Sequence, residues 1–220
     1  GTAMLLEAAR RSPHGAPDRF LHLSSYEVYG SSETGIFTEQ SPLNPSTPYA
    51  ASKASADQLT LAYHRTFGMG CLVTRTTNIY GPFQSHDKLV PAIALRVRAG
   101  QTLTVYGDGS QTRDWIHVED HNRGVLLALE RGRPGQVYHL GARCERSNLD
   151  LVRSVALSAA AVLGRDREEM EGLIAFVEDR AGHDARRALD PTKAERELGF
   201  TPAVPFERGL HETVAEALRG

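Results

Sequence analysis

Apolar and polar positions alternate along this chain in two periods. Leu5, Leu6 and Ala9 recur at helical spacing within Gly1–Arg10 and predict a first amphipathic helix. A loop rich in Pro, Gly and charge follows over Ser12–Arg19. Phe20–Ser25 begins apolar and ends polar, as a buried parallel strand does when it delivers polar side chains at its carboxyl end. Residues 31–48, with Pro42, Pro45 and Pro48, predict loop. Pro48 opens a helix that Gly68 and Gly70 close after Phe67. Cys71–Thr77 predicts a second strand and Asn78–Pro82 a turn. A helix over Leu89–Ala99 precedes a short strand, Thr102–Tyr106, and a turn at Gly107-Asp108-Gly109. Trp115–Val118 predicts a strand, Glu119–Glu130 a helix and Val137–Gly141 a strand. Leu149, Leu151, Val152, Val155 and Leu163 mark an amphipathic helix from Asn148 to Gly164. A strand at 174–177, a loop at 179–190, a helix at 191–198 and a last helix over Pro205–Leu218 complete the pattern.

Strands with apolar runs that alternate with helices predict an α/β protein built on a mostly parallel sheet. Ligands of such sheets bind beyond the carboxyl ends of the strands. Ser24–Glu27 and Thr76–Asn78 stand at two such ends, so the pattern puts a candidate site between them.

Composition narrows the classes. The chain has 220 residues, 40% hydrophobic and 24% charged, enough for a substantial core. A net charge of −2 argues against nucleic acid or an anionic membrane as the main partner. Two cysteines, Cys71 and Cys144, make neither a disulfide framework nor a metal set, and both are expected reduced, Cys71 inside a strand. The histidines lack ligand spacing, so no metal is expected. The pattern holds no membrane-spanning run, signal peptide or lipidation motif, and a cytoplasmic location is expected.

Candidate chemistry begins at Tyr49 and Lys53 in Tyr49-Ala50-Ala51-Ser52-Lys53, one helical turn apart on one face. An ammonium beside a phenol favours the phenolate and lowers a pKa that is about 10 in water. Such a base can take a proton from a sugar hydroxyl as a hydride leaves the same carbon, which points to nicotinamide chemistry.

Six ordered segments add to this pair. They are LHLSSYEVYG (21–30), PYAASKASADQL (48–59), NIYGPFQSHDKLVP (78–91), VYGDGSQTRDWIHVEDH (105–121), VYHLGARCERSN (137–148) and EDRAGHDARRALDPTKAERELGF (178–200). Together they make the chain resemble the extended short-chain dehydrogenase/reductase family, in its nucleotide-sugar epimerase/dehydratase group. The RDWIHVEDH and DRAGHD segments resemble the 4,6-dehydratase branch acting on dTDP-glucose more than the simple epimerases.

The resemblance implies roles residue by residue. Tyr49 matches the catalytic tyrosine, and Lys53 the lysine that lowers its pKa and contacts the nicotinamide ribose of NAD. Ser25 matches a threonine that hydrogen-bonds the sugar 4-hydroxyl. Glu27 matches the glutamate that takes the C5 proton once C4 has become a ketone and acidified its neighbour. Tyr26 departs from the pattern, because dehydratases carry an aspartate there that protonates the departing C6 hydroxyl. A phenol is a weaker and bulkier acid. Three readings stay open: Tyr26 serves as the acid of a variant dehydratase, the reaction is another one that needs no strong acid, or the lineage is inactive. Asn78, Lys88, Leu89, Arg113, Asn148, Arg180 and His183 match contacts to a nucleotide-diphosphate sugar, and Tyr106 matches a place near the base. Guanidinium suits phosphate because it donates two parallel hydrogen bonds and stays charged. Ile79 replaces an asparagine of the pattern and inherits no role. Trp115 and His117 read as packing residues.

The resemblance also implies a Rossmann-like parallel sheet with a smaller α/β substrate-binding part. Residues 1–85 and 115–140 are assigned to the first, and 86–114 and 141–220 to the second. The family's glycine-rich dinucleotide turn has no counterpart in this sequence. Gly107-Asp108-Gly109 follows a late strand and opens no helix. With a start at Gly1 that already reads as mid-helix, this suggests a chain lacking the N-terminal strands and binding NAD poorly on its own, an engineered start being the alternative. A homodimer through the first helix and helix 49–67 is implied in the same way. The rivals are a 4-epimerase or decarboxylase on a nucleotide sugar, and an inactive nucleotide-sugar-binding fragment.

Overall fold

The structure is a computed structural model that describes residues 1–32, 35–179 and 184–219. The predicted positions of Arg180 and His183 lie outside the described residues.

The chain opens with helix α1 (Thr2–Arg10) and strand β1 (Phe20–Ser25). Helix α2 (Pro48–Phe67) leads into β2 (Cys71–Thr76), which pairs in parallel with β1 from Phe20↔Cys71 to Ser25↔Thr76. Thr47 caps α2 by accepting from Ala50 N–H, Pro48 stands where a missing N–H costs nothing, and Gly68 ends the helix in the left-handed region at φ 68°. All of β2 is buried, Cys71 included, as expected of a central parallel strand. Strand β6 (Val137–Leu140) pairs on its other side, giving the order β1-β2-β6.

A short strand, β3 (Asn78–Tyr80), stands where the sequence predicts a turn. Its pairing is long-range: it lies parallel to β5 (Thr112–His117), in register Asn78↔Trp115. Strand β5 also starts earlier than its apolar run suggests. Its polar first half, Thr112-Arg113-Asp114, pairs with β7 (Glu145–Ser147) and β9 (Arg186–Arg187), two short polar strands with no apolar signal of their own. Strands β4 (Leu103–Tyr106) and β8 (Ile174–Val177) form a separate parallel pair.

Helices α3 (Leu89–Arg98), α5 (Asn148–Leu163), α6 (Arg167–Gly172) and α8 (Phe206–Ala217) share one core around Val90, Trp115, Leu151, Val155 and Val214. Helices α4 (Val118–Arg131) and α7 (Thr192–Leu198) cover the β2/β6 sheet through Leu72, Ile116, Tyr138, Leu198 and Phe200. The stretch after residue 190 therefore contributes to both cores. Among the described residues no helix is long and apolar enough to cross a membrane.

Helix α2 is tied to the first sheet by buried polar groups. Asp57 on its inner face is wholly buried and accepts from Arg75 Nε of β2 at 2.8 Å. Arg75 also stacks over the Tyr29 ring and donates to the Tyr29 hydroxyl, and Tyr29 meets His139 of β6 at 2.6 Å. This chain of buried polar groups fixes α2 against β1 and β2.

Candidate active site

Strand β5 is the spine of the site, and its register decides which residues meet. Pairing with β3 brings Asn78 beside Trp115; pairing with β7 brings Ser147, and so Asn148, beside Thr112; pairing with β9 sets Arg187 beside Arg113. Ser147 caps α5 by accepting from Asp150 N–H at 3.0 Å, which holds Asn148 at the first turn of that helix. Strand β4 and helix α3 close the space from the other side. The outcome is a cavity of about 260 Å³ lined in part by Asn78, Leu89, Tyr106, Arg113 and Asn148. Five of the residues expected to hold a nucleotide sugar thus face one space. Lys88 sits exposed at the start of α3, paired with Asp87 at 3.0 Å.

The second part of the site is the carboxyl end of β1. Ser25 ends the strand, and its hydroxyl accepts from Glu27 N–H at 3.2 Å, starting a single tight turn over Tyr26–Tyr29. Gly30 closes that turn at φ 77°, and a side chain there would meet the Asn44 carbonyl at 2.4 Å. The turn sends neighbouring side chains in opposite directions. Tyr26 is 1% exposed and packs with Val28, Tyr29, Ala54 and Leu189. Its hydroxyl donates to Asn78 Oδ1 at 3.0 Å, so it joins the β1 end to the cavity. Glu27 stays half-buried and pairs with Arg187 at 3.3 Å.

Tyr49 is 54% exposed on the first turn of α2, and Lys53 follows one turn later with its Nζ donating to the Leu23 carbonyl of β1 at 2.8 Å. The electrostatics differ from the sequence expectation. Partial burial pushes the Tyr49 phenol above its ordinary range, the Glu27 charge pushes it further, and Lys88 pulls it back. The cation that lowers the Tyr49 pKa is therefore Lys88, while the Lys53 ammonium reaches down to the Leu23 carbonyl. Burial drives the Tyr26 phenol well above its usual range, partly offset by Arg113 and Arg187. Asp114, buried on β5, is pushed up to about 6 by desolvation while its Oδ1 accepts from Cys144 N–H at 2.7 Å.

Lys53 suits the ribose end of a nicotinamide cofactor. An ammonium has three donors and the Leu23 carbonyl takes one, so donors remain for ribose hydroxyls on the exposed face beside Tyr49.

Arg187 and Asp184 were not singled out by the sequence. Arg187 is 7% exposed, forms an ion pair with the Asp184 carboxylate as well as with Glu27, and lies over the Tyr26 ring at 5.7 Å. Asp184 in turn accepts from Ser46 Oγ at 3.3 Å, and its carbonyl accepts from Arg113 Nη2 at 2.8 Å. The one local hint is alternation: in a strand, Arg186 and Arg187 must point to opposite faces. Arg186 reaches Glu145, and Arg187 turns inward to Glu27. Trp115 and His117 are buried, as their reading as packing residues implied.

Comparison with known proteins adds an independent line. Residues 1–213 match the family model for GDP-mannose 4,6 dehydratase. A dTDP-glucose 4,6-dehydratase of Actinoplanes sp. is 49% identical over 98% of this chain and 64% of its own length. The Escherichia coli dTDP-glucose 4,6-dehydratase is 41% identical over 97% of this chain and 64% of its own length. The crystal structure of a DesIV double mutant, a dTDP-glucose 4,6-dehydratase of Streptomyces venezuelae with NAD bound, superposes with a TM-score of 0.89 at 43% identity, covering 99% of this chain and 64% of that one. A UDP-glucuronic acid 4-epimerase from Bacillus cereus, in complex with UDP-glucuronic acid and NAD, gives 0.87 at 28% identity over 99% of this chain and 66% of its own. This chain thus spans under two thirds of the length of the curated relatives it matches.

Proposed function

The chain belongs to the GDP-mannose 4,6-dehydratase family, among the NAD-dependent epimerases and dehydratases, and from that membership we propose that its protein is a nucleotide-sugar 4,6-dehydratase acting on dTDP-glucose or a similar nucleoside-diphosphate hexose. One observation carries the reading: the cavity lined by Asn78, Leu89, Arg113 and Asn148 meets the Glu27 end of β1 through the Tyr26–Asn78 hydrogen bond. The nucleoside diphosphate lies in the cavity. Arg113 and Lys88 face its phosphates, Asn78, Leu89 and Asn148 hold it, and Tyr106 stands at the open side near the base. Arg180 and His183 are proposed as further phosphate contacts on the family pattern alone. The hexose then reaches toward Ser25, Glu27 and Tyr49.

Bound NAD, held at its nicotinamide ribose by Tyr49 and Lys53, would take the C4 hydride and return it to C6. Ser25 orients the 4-hydroxyl, and Tyr49 accepts its proton. Glu27 takes the proton from C5, whose acidity follows from the adjacent ketone. The electron pair left on C5 forms the C5=C6 double bond as the C6 hydroxyl departs, and Tyr26 gives that hydroxyl the proton that makes it water; hydride return to C6 leaves an enolate that regains a proton at C5 from Glu27. A buried phenol with a raised pKa donates reluctantly, so Tyr26 is a weak acid for that departure.

The test uses the full-length protein with NAD and dTDP-glucose in deuterated water. A 4-keto-6-deoxy product carrying deuterium at C5 is expected. An unlabelled C4 epimer would replace the reading with that of a 4-epimerase, a rival that the reluctance of Tyr26 keeps open. The same proposal includes a homodimer through α1 and α2, which pack together and leave Met4, Leu5 and Leu59 exposed. Sedimentation of the full-length protein as a monomer at micromolar concentration would remove that part.

A further inference from the structure

The guanidinium of Arg187 is the most enclosed charge beside the proposed base, and none of the roles above uses it. It is nearly buried and spans two carboxylates, Glu27 at 3.3 Å and Asp184 on its other side, while its plane lies over the Tyr26 ring. Three elements meet in it: the turn after β1, strand β9 and, through Asp184, the loop that carries Ser46. Strand β9 is itself fixed by its main-chain register on β5, with Arg186 beside Thr112 and Arg187 beside Arg113. The Arg187 head group therefore has little freedom, and whatever it holds is oriented with it.

Glu27, by contrast, has no other side-chain partner among the described residues, and its carboxylate is 28% exposed. An isolated glutamate with that exposure samples several rotamers at small cost. We infer that Arg187 is the positioning residue of this site: it fixes the Glu27 carboxylate in the one orientation from which it can take the C5 proton. Tyr26 contributes by supplying the flat face on which the guanidinium rests. A smaller carboxylate at position 26 would leave that face absent and compete with Glu27 for the same cation. The phenol at 26 and the arginine at 187 thus form one arrangement, in which the loss of an acid at 26 is accompanied by closer control of the base at 27.

This inference rests on the dehydratase reading, and its test separates the two. The full-length protein, with NAD, is compared as wild type, Arg187→Met, Arg187→Lys and Arg186→Met. Four quantities are read: the transient reduced-nicotinamide absorbance that reports C4 oxidation, the rate of deuterium entry at C5, the affinity for dTDP-glucose by calorimetry, and the thermal midpoint. In Arg187→Met, C4 oxidation and affinity hold while C5 exchange falls about a hundredfold, the cost of a misplaced reacting group. Arg187→Lys recovers part of the loss, since an ammonium can pair with Glu27 without the planar fork. Arg186→Met, facing the other way, leaves C5 exchange unchanged. The inference is overturned if Arg187→Met and Arg187→Lys, folded by thermal midpoint, exchange C5 at the wild-type rate. It is equally overturned if C4 oxidation and C5 exchange fall together in both variants. If wild type itself yields no C5-deuterated 4-keto-6-deoxy sugar, the dehydratase reading falls and takes the inference with it.

Discussion

Replacing Asp57 by alanine removes the partner of a guanidinium that cannot leave the core. Arg75 is 3% exposed, donates to Asp57 Oδ2 at 2.8 Å, and is packed against the Tyr29 ring on β2's inner side. Its charge persists, because guanidinium does not deprotonate in proteins. Stripping one member from a buried pair costs about 3–5 kcal/mol, most of it the burden of the charge left behind. An unfolding entropy of about 2.1 cal/mol/K per residue over 220 residues gives about 0.46 kcal/mol per kelvin, so the midpoint falls by about 7–11 °C. Asp57→Asn keeps an acceptor for Arg75 Nε and loses less. The double variant Asp57→Leu/Arg75→Met trades the pair for apolar side chains and recovers most of the loss, by at least about 2 kcal/mol relative to the sum of the singles. Urea titration of wild type, Asp57→Leu, Arg75→Met and the double variant, with the slope m held common, measures the coupling. Single variants that each cost under about 1 kcal/mol, or a double variant that is simply additive, would refute the argument that this pair holds α2 in place. The stakes are functional as well as structural, since α2 carries Tyr49 and Lys53 and Asp57 lies one turn beyond Lys53 on the same helix.

Two other perturbations read the electrostatics directly. Glu27→Gln removes the charge that pushes the Tyr49 phenol up, so its tyrosinate titration moves to lower pH, whereas Lys88→Met moves it higher; ultraviolet difference titration with Tyr49→Phe as the blank reads both, and opposite signs would discard the assignment. His139 is held neutral by burial with its pKa down at about 3, against about 6.5 unfolded, so its share of stability is complete above about 6.5 and is lost as the pH falls toward 3. That share is roughly 3–5 kcal/mol, and the urea midpoint of wild type between pH 7 and 4 should fall more steeply than that of His139→Gln. Asp114 works in the other direction: its carboxyl is raised to about 6, so its contribution is present below about 3.9 and lost as the pH rises through 6, and Asp114→Asn should stabilise the fold at pH 7.

The helices other than the short α6, and the three core strands of the first sheet, were legible because their signals are local. Thr47-Pro48 at one end of α2 and Gly68 at the other are punctuation that a short window can read, and the apolar run of β2 has only one place to go. Strands β3, β7 and β9 were not legible. Asn78-Ile79-Tyr80 precedes Gly81-Pro82 and reads as a turn, and becomes a strand only because β5, far along the chain, supplies a partner. Glu145-Arg146-Ser147 and Arg186-Arg187 carry no alternation of apolar and polar residues at all. Their pairing follows from the polar half of β5 and from the chain closing back on itself. The same limit applies to the site. Tyr49, Lys53 and the cavity residues could be named because motifs carry them. Arg187 could not, since its importance lies in meeting Glu27 across a sequence gap that no spacing rule bridges.

On the proposed dehydratase reading, the distribution of charge across the crevice also sets which way a sugar nucleotide would lie. Arg113, with its guanidinium tied to the Thr112 and Asp184 carbonyls, presents a fixed cation inside the cavity, and Lys88 adds a mobile one at the rim. The opposite end holds Glu27, whose charge Arg187 shares with Asp184. A diphosphate is drawn to the first end and repelled from the second, so only one orientation puts the hexose against the base. Tyr49 stands between the two and responds to both, raised by Glu27 and lowered by Lys88. Closer approach of Lys88 to a bound diphosphate would spend its charge there and leave the phenol more protonated. The Glu27 charge therefore makes Tyr49 hold the 4-hydroxyl proton more firmly once it has taken it, and proton uptake by Glu27 from C5 eases that charge. Tyr49 thus feels the charge of the Glu27 carboxylate, while the hold that Arg187 keeps on that carboxylate sets where it points and bears on the C5 step.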